Sequence, residues 1–342
     1  MTDELIEAEV AVIGAGPAGL FQVFELGLLG MKAHVLDTLP YPGGQCTELY
    51  PEKPIYDIPA LPICGAQELI DRLLKQIAPF APTFLLGTEA IGLEKQPSGR
   101  FLVSTAGGKC IEAGAVIIAA GVGSFQPRRL GVEEAERFEG RQIHYKVTSA
   151  SRFQDKRLVV FGGGDSALDW TLALASSAGT LTLVHRREEF RAAPSSVARM
   201  RELEARGHVR VLHGLAHSLW GDTDRLSGVR VKGNDGQLYE LEADDLLVFF
   251  GLAPKLGPVG EWGLQLDKKA LRVDPERFQT SIPGVFAIGD INSYPGKKKL
   301  ILSAFHEAAL AAFAVQAYLY PEKRQFLQYT TTSPVMHKRL GV

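Results

Sequence analysis

The chain is poor in cysteine. Its 342 residues hold three, Cys46, Cys64 and Cys110, and no Cys-x-x-Cys pair. So odd and sparse a set offers no disulfide framework and suits a reducing cytoplasm. An excess of one charge is lacking too, with 37 Lys and Arg against 39 Asp and Glu. That balance argues against a nucleic-acid partner, which calls for a basic excess. No uninterrupted apolar run reaches the roughly 18 residues of a membrane span. The acidic N-terminus, MTDELIEAEV, lacks the basic-then-apolar layout of a signal peptide. The expectation is a cytoplasmic protein with neither nucleic acid nor membrane as partner. At 46% apolar and 22% charged residues, disorder is excluded as well.

Glycine is what the chain has in plenty: 36 residues, against an average near 7%. Many fall where a strand runs into a helix. Val10–Ile13 reads as a buried parallel strand and Pro17–Leu29 as a helix, and Ala33–Leu36 is a second strand ending at Asp37. The pattern returns with the strand Leu158–Phe161, the turn Gly162–Gly164, the helix Asp165–Ser177 and the strand Leu181–Val184. Between the copies, Ala66–Phe80 has the spacing of an amphipathic helix; near the end, Ser303–Tyr318 reads as a long apolar one. Length alone predicts two domains, at roughly 100–200 residues each. The fold class is α/β, with two Rossmann-like dinucleotide-binding domains.

The first turn, Gly14-Ala15-Gly16-Pro17-Ala18-Gly19, satisfies G-x-G-x-x-G. Gly14 permits the tight turn, Gly16 lets a pyrophosphate approach the backbone, and Gly19 lets helix and strand pack closely. The helix start offers free N–H groups and a positive dipole end to the phosphates. Asp37 is placed to accept hydrogen bonds from ribose hydroxyls. The second turn, Gly162-Gly163-Gly164-Asp165-Ser166-Ala167, is G-x-G-x-x-A. Here the acid after the next strand gives way to His185-Arg186-Arg187, with Arg191 close behind. An Arg run is ordinarily a solvated face. Its position after the second strand points instead to the 2′-phosphate of NADPH. The expected NADPH residues are Gly162, Gly164, Asp165, Ser166, His185, Arg186, Arg187 and Arg191.

Pro42-Gly43-Gly44-Gln45 and Gly284-Val285-Phe286-Ala287-Ile288-Gly289-Asp290 resemble the FAD segments of two-dinucleotide flavoproteins. With LYPEKPIYDIP, IIAAGVGSFQPR, GGGDSALDW, VHRREEFRA and YPGKKKL added, the chain resembles the thioredoxin-reductase-like ferredoxin/flavodoxin–NADP+ oxidoreductases from about Glu7 to its C-terminus. Thioredoxin reductases share the scaffold but place a C-A-T-C after a G-x-x-x-x-Y stretch. Here Gly140–Tyr145 is followed by Lys146-Val147-Thr148-Ser149, so Lys146 and Ser149 stand where the dithiol would be. Cys46 lies near the Cys-x4-Cys place of lipoamide-dehydrogenase relatives, but Pro51 stands where its partner would be. Cys46 is therefore read as a small buried or semi-buried residue.

The resemblance implies an FAD-dependent ferredoxin–NADP+ reductase, with hydride transfer between NADPH and FAD. One-electron transfer to ferredoxin or flavodoxin follows, and the enzyme is a homodimer. No acid–base residue and no metal ligand is expected. The implied FAD contacts are Gly14, Gly16, Ala18, Gly19, Asp37, Gln45, Tyr50, Ala90, Phe125, Asp290 and Thr331, with Tyr50 and Tyr329 stacking on the flavin. The implied domains are 1–123 and 285–342 for FAD and 124–284 for NADPH. A redox-sensing flavoprotein with little turnover and an NADPH diaphorase or quinone reductase remain as alternatives. His306-Glu307 opens like H-E-x-x-H, but Leu310 replaces the second His. The runs Lys297–Lys299 and His337–Arg339 are either solvated loops or patches that steer an acidic carrier protein.

Overall fold

The computed structural model describes residues 4–123, 128–147, 149–251, 256–323 and 328–342. The chain divides into two units, one of residues 1–125 with 254–342 and the other of residues 126–253.

In the first unit the strand Glu4–Ile13 is flanked in parallel by Ala33–Leu36 and Lys109–Ile118, with Val12 opposite both Val35 and Ile117. Covered on both sides, it reads as the continuous apolar run Val10–Ile13. Thr83–Leu85 extends the sheet beyond Ala33–Leu36. Lys109–Ile118 is shared along its length. Its first half pairs antiparallel with Phe101–Thr105, and its last three residues pair in parallel with Val285–Ala287. Helix α1 (Pro17–Leu28) opens on a proline, whose missing N–H costs nothing there, and buries Leu20, Val23 and Leu26. The short helix α2 (Gln45–Leu49) follows the second glycine loop. Helix α3 (Ala66–Ile77) buries Leu69, Ile70, Leu73 and Ile77. It stops at Ile77 rather than Phe80, because Pro79 cannot continue the ladder and Ala78–Phe80 tightens to a 3-10 turn.

The second unit is a seven-stranded sheet in the order Leu238–Glu242, Leu226–Gly233, Arg210–Gly221, Thr180–His185, Arg157–Phe161, Asp245–Val248, Ile143–His144. Its five nucleotide-type strands are parallel; the first two form an antiparallel hairpin turned at Asn234-Asp235-Gly236. The Asp235 carboxylate accepts from the Gln237 amide at 3.0 Å, as the turn signal predicts. Helix α4 (Asp165–Leu174) follows the second glycine turn, and α5 (Pro194–Ala205) follows the basic loop.

The chain then returns to the first unit earlier than expected. By motif position, residues 256–284 belong to the expected NADPH domain of 124–284. Instead Val259, Trp262, Leu264, Leu271, Val273 and Phe278 are buried in the core of the first unit. The Trp262 indole donates to the Ile91 carbonyl at 3.3 Å. Apolar burial, not motif position, sets this boundary. Helix α6 (Ile301–Leu319) is long and apolar enough by length and composition to cross a membrane. In this fold its face of Ala304, Ala308, Ala311, Ala312 and Val315 is buried, and α6 packs on α1. Helix α7 (Pro334–Leu340) is capped by Ser333, which accepts from the Met336 amide at 3.3 Å.

Candidate functional site

A cavity of about 270 Å³ opens over the first glycine turn. Gly14 sits at φ +112°, and a Cβ there would run into the Ala119 carbonyl. A Cβ at Gly19 would strike the Gly14 carbonyl, so only glycine lets α1 start this close to the strand. The Pro42–Gln45 loop closes on this turn from above. Gly43 donates its N–H to the Ala15 carbonyl at 2.8 Å, and a Cβ on Gly44 would lie 3.1 Å from the Gly16 Cα. A flat, polyanionic ligand can thus meet backbone on two sides.

Asp37 directly follows the strand Ala33–Leu36 and lines the cavity. Its carboxylate accepts from the Ala15 amide at 2.6 Å and the Leu39 amide at 2.9 Å. Burial pushes its pKa above the usual carboxylate range, and those amides pull the other way. The Thr38 hydroxyl donates to it as well, and one lone pair of the carboxylate's four remains for a ligand hydroxyl. Gly14, Gly16, Ala18, Gln45, Tyr50, Ala90 and Asp290 line the same cavity. Gly19 does not; its work is packing. Burial pushes the Tyr50 phenol up strongly, with Cys46 and Asp290 adding to it. Burial also raises the carboxyl of Asp290, opposed by Lys299 and Lys297. This cavity fits a dinucleotide with a flat ring: a phosphate-sized backbone cradle at one end, an aromatic wall beside Gln45, and an acid for a ribose.

Besides Gly19, two of the expected contacts are not brought here. Phe125 lies outside the described residues. Tyr329 and Thr331 do not line the cavity within one chain; both are exposed in the turn before α7. That helix is tied instead to the far end of α1, where Arg339 donates to the Leu28 carbonyl. Sequence reasoning also missed a wall of the cavity, Leu256–Val259, and the lysine Lys299 beside Leu300 and Ile301. Nothing in the spacing of 256–259 signals a ligand. The Lys297–Lys299 run reads as a solvated loop or a carrier-steering patch, but Lys297 turns inward and its side chain is 8% exposed.

No thiol pair serves the cavity. Cys46 lines it, but burial, with Cys64 adding, pushes its thiol up to about 12. At neutral pH it is not a thiolate and so not a nucleophile. Among the described residues no cluster of three or more His, Cys, Asp or Glu could hold a metal ion.

The second cradle is built alike. Gly162 is at φ +146°, and a Cβ there would meet the Phe249 carbonyl at 2.6 Å. The basic loop folds back over the turn: Arg191 donates its N–H to the Gly163 carbonyl at 2.7 Å, and Asp165 accepts from the Ala193 amide at 2.9 Å. Arg186, Arg187 and Arg191 are exposed there, as is Ser166 in the first turn of α4. The Asn234 side chain donates to the Arg186 carbonyl at 3.2 Å. The His185 ring stacks on Phe190 at 5.0 Å. Burial lowers its pKa, opposed by its hydrogen bond to the Glu189 carbonyl, and the nearby His213, Arg186 and Arg187 lower it further. Gly164 leaves the start of α4 open to a phosphate.

Two nucleotide cradles on two Rossmann-like units define the class, and the chain belongs to the pyridine nucleotide-disulphide oxidoreductase family, matched over residues 8–312. Within that class it is 57% identical to ferredoxin–NADP reductase 2 of Cupriavidus necator, over 98% of this chain and 91% of that protein. It is 55% identical to ferredoxin–NADP reductase of Methylibium petroleiphilum, over 99% and 94%. Thioredoxin reductase from T. acidophilum shares the fold at 24% identity and a TM-score of 0.78, over 91% of this chain and 98% of that one. Lactococcus lactis thioredoxin reductase does so at 23% and 0.79, over 92% and 99%.

Proposed function

We propose that the chain is a ferredoxin–NADP reductase holding FAD in the first cradle and NADPH in the second. The observation that carries this is the pairing of an acid-terminated glycine turn with an Arg-terminated one, beside a cavity without a dithiol. Held there, FAD would supply acceptance of a hydride from NADPH and release of single electrons to a carrier protein.

The chain's own residues bind and orient. The Gly14–Gly19 turn receives the FAD pyrophosphate, Asp37 the ribose, and Gln45 with Asp290 the middle of the molecule. Tyr50 supplies the aromatic wall and keeps its proton, so it stacks without titrating. Arg186, Arg187 and Arg191 receive the 2′-phosphate, whose charge their fork geometry suits. The acceptor is ferredoxin or flavodoxin. Free Cys46, Cys64 and Cys110 support work in the reducing cytoplasm. Exposed Tyr56 and Ile63, after α2, support a homodimer.

NADPH-driven reduction of cytochrome c, with and without the organism's own ferredoxins and flavodoxins, tests the assignment. Turnover that depends on one of those carriers is expected. Turnover indifferent to all of them marks a diaphorase instead.

A further inference from the structure

Glu307 lies on α6 with its side chain fully buried. One carboxylate oxygen accepts from the Gly289 amide at 2.7 Å and from the Asn292 side chain at 2.9 Å. The other accepts from the Tyr294 hydroxyl at 3.0 Å and from the Lys297 ammonium. Lys297 donates as well to the Gly289 carbonyl at 2.9 Å, and Asn292 to the Ala287 carbonyl at 2.9 Å. One carboxylate thus gathers four donors from a single stretch of nine residues. A buried carboxylate is tolerated only when paired and hydrogen-bonded in this way.

The stretch it gathers includes the 3-10 turn Gly289–Ile291, which carries Asp290 to the cavity. Two residues beyond Lys297, Lys299 lines the cavity too. Lys297 and Glu307 neutralise each other, so Asp290 and Lys299 are left to present charge at this end of the cavity.

We propose that the Glu307–Lys297 pair is a positioning device: it fixes the Asp290 turn and, by cancelling its own charge, sets the balance between oxidised and reduced cofactor in the cavity. This rests on the assignment of FAD to the first cradle. Removing one partner leaves the other's charge buried close behind the turn. Glu307→Gln leaves the Lys297 cation, which favours the more anionic, reduced cofactor. Lys297→Met leaves the Glu307 anion, which disfavours it. The double variant leaves neither. A role in folding alone would weaken both single variants and give their effects no sign.

The test uses the flavin-loaded full chain and its two single and one double variants. The midpoint potential of the bound flavin is measured by dye-coupled reduction, and the dissociation constant for oxidised FAD by fluorescence titration of the apoprotein. The ratio of oxidised to reduced dissociation constants should rise about tenfold in Glu307→Gln and fall about tenfold in Lys297→Met, about 30 mV either way for a two-electron couple. The double variant should return to within about threefold of wild type. Shifts of the same sign in both single variants overturn the inference. So does a lowered melting temperature with the ratio unmoved. If Glu307→Gln does not fold, the direction seen in Lys297→Met decides alone. Wild-type protein that binds no FAD would defeat the functional assignment itself, whereas a flavoprotein with unmoved variants defeats only this inference.

Discussion

Asp37 and Ala15 are 22 residues apart, yet the Asp37 carboxylate accepts the Ala15 amide hydrogen at 2.6 Å. The acid at the end of the second strand therefore holds the glycine turn in shape before it meets any ribose. Its loss should be felt twice, in the turn and in the ligand. Charge-assisted hydrogen bonds contribute about 1.5–3 kcal/mol each, so Asp37→Ala should weaken FAD binding by roughly 10- to 100-fold or more. Titration of the apoprotein with FAD measures this. Unchanged affinity would remove Asp37 from the site.

Arg186 and Arg187 project from a loop pinned at both ends, by Asp165 to Ala193 and by Asn234 to Arg186. The double substitution to alanine should raise KM for NADPH by about 10- to 100-fold, the loss of one or two charged contacts. KM for NADH should move little. Steady-state kinetics with both nucleotides decides it, and equal increases would place the 2′-phosphate elsewhere.

Of the three free thiols only Cys46 lines the cavity, and burial, with Cys64 adding, pushes it up to about 12, which leaves it unactivated at neutral pH. Replacing Cys46, Cys64 and Cys110 together by serine should leave ferredoxin-dependent turnover within about threefold of wild type, because the only cost is a small change in packing polarity. Loss of turnover with FAD content retained would reinstate a thiol relay.

Glu25 on α1 bears on stability rather than catalysis. Burial pushes its carboxyl from 4.5 up to about 7. The folded state therefore binds its proton more tightly than the unfolded chain. Stability is greatest below the ordinary carboxylate range and falls as pH rises through about 7. Glu25→Gln should stabilise the protein by up to about 3 kcal/mol at pH 8 and by little at pH 5. Urea denaturation at the two pH values checks the sign. A variant that gains nothing at pH 8 would show that the ionised side chain is already well solvated.

The parts of the site that were legible in the sequence are those the local backbone dictates. Gly14 and Gly162 must be glycine at their angles, and a strand must end at Asp37 or His185 to offer a ribose or phosphate contact. What stayed hidden depends on distant partners. Residues 256–264 look like part of the NADPH unit until Trp262 is seen to reach Ile91. Lys297 looks like one third of a surface patch until its partner, ten residues further on α6, is found buried. Tyr329 and Thr331 carry a family pattern, but within one chain they do not line the cavity, and α7 is bound to the far end of α1.

The strand Val285–Ala287 seals a sheet whose other members were all made before residue 119. During synthesis the ribosome must therefore complete the second unit, with all seven of its strands, while the first still waits with one flank of Lys109–Ile118 uncovered. The nascent protein is thus able to finish its inner unit before its outer one. Chaperone dependence should concentrate in the interval between those two stretches of chain.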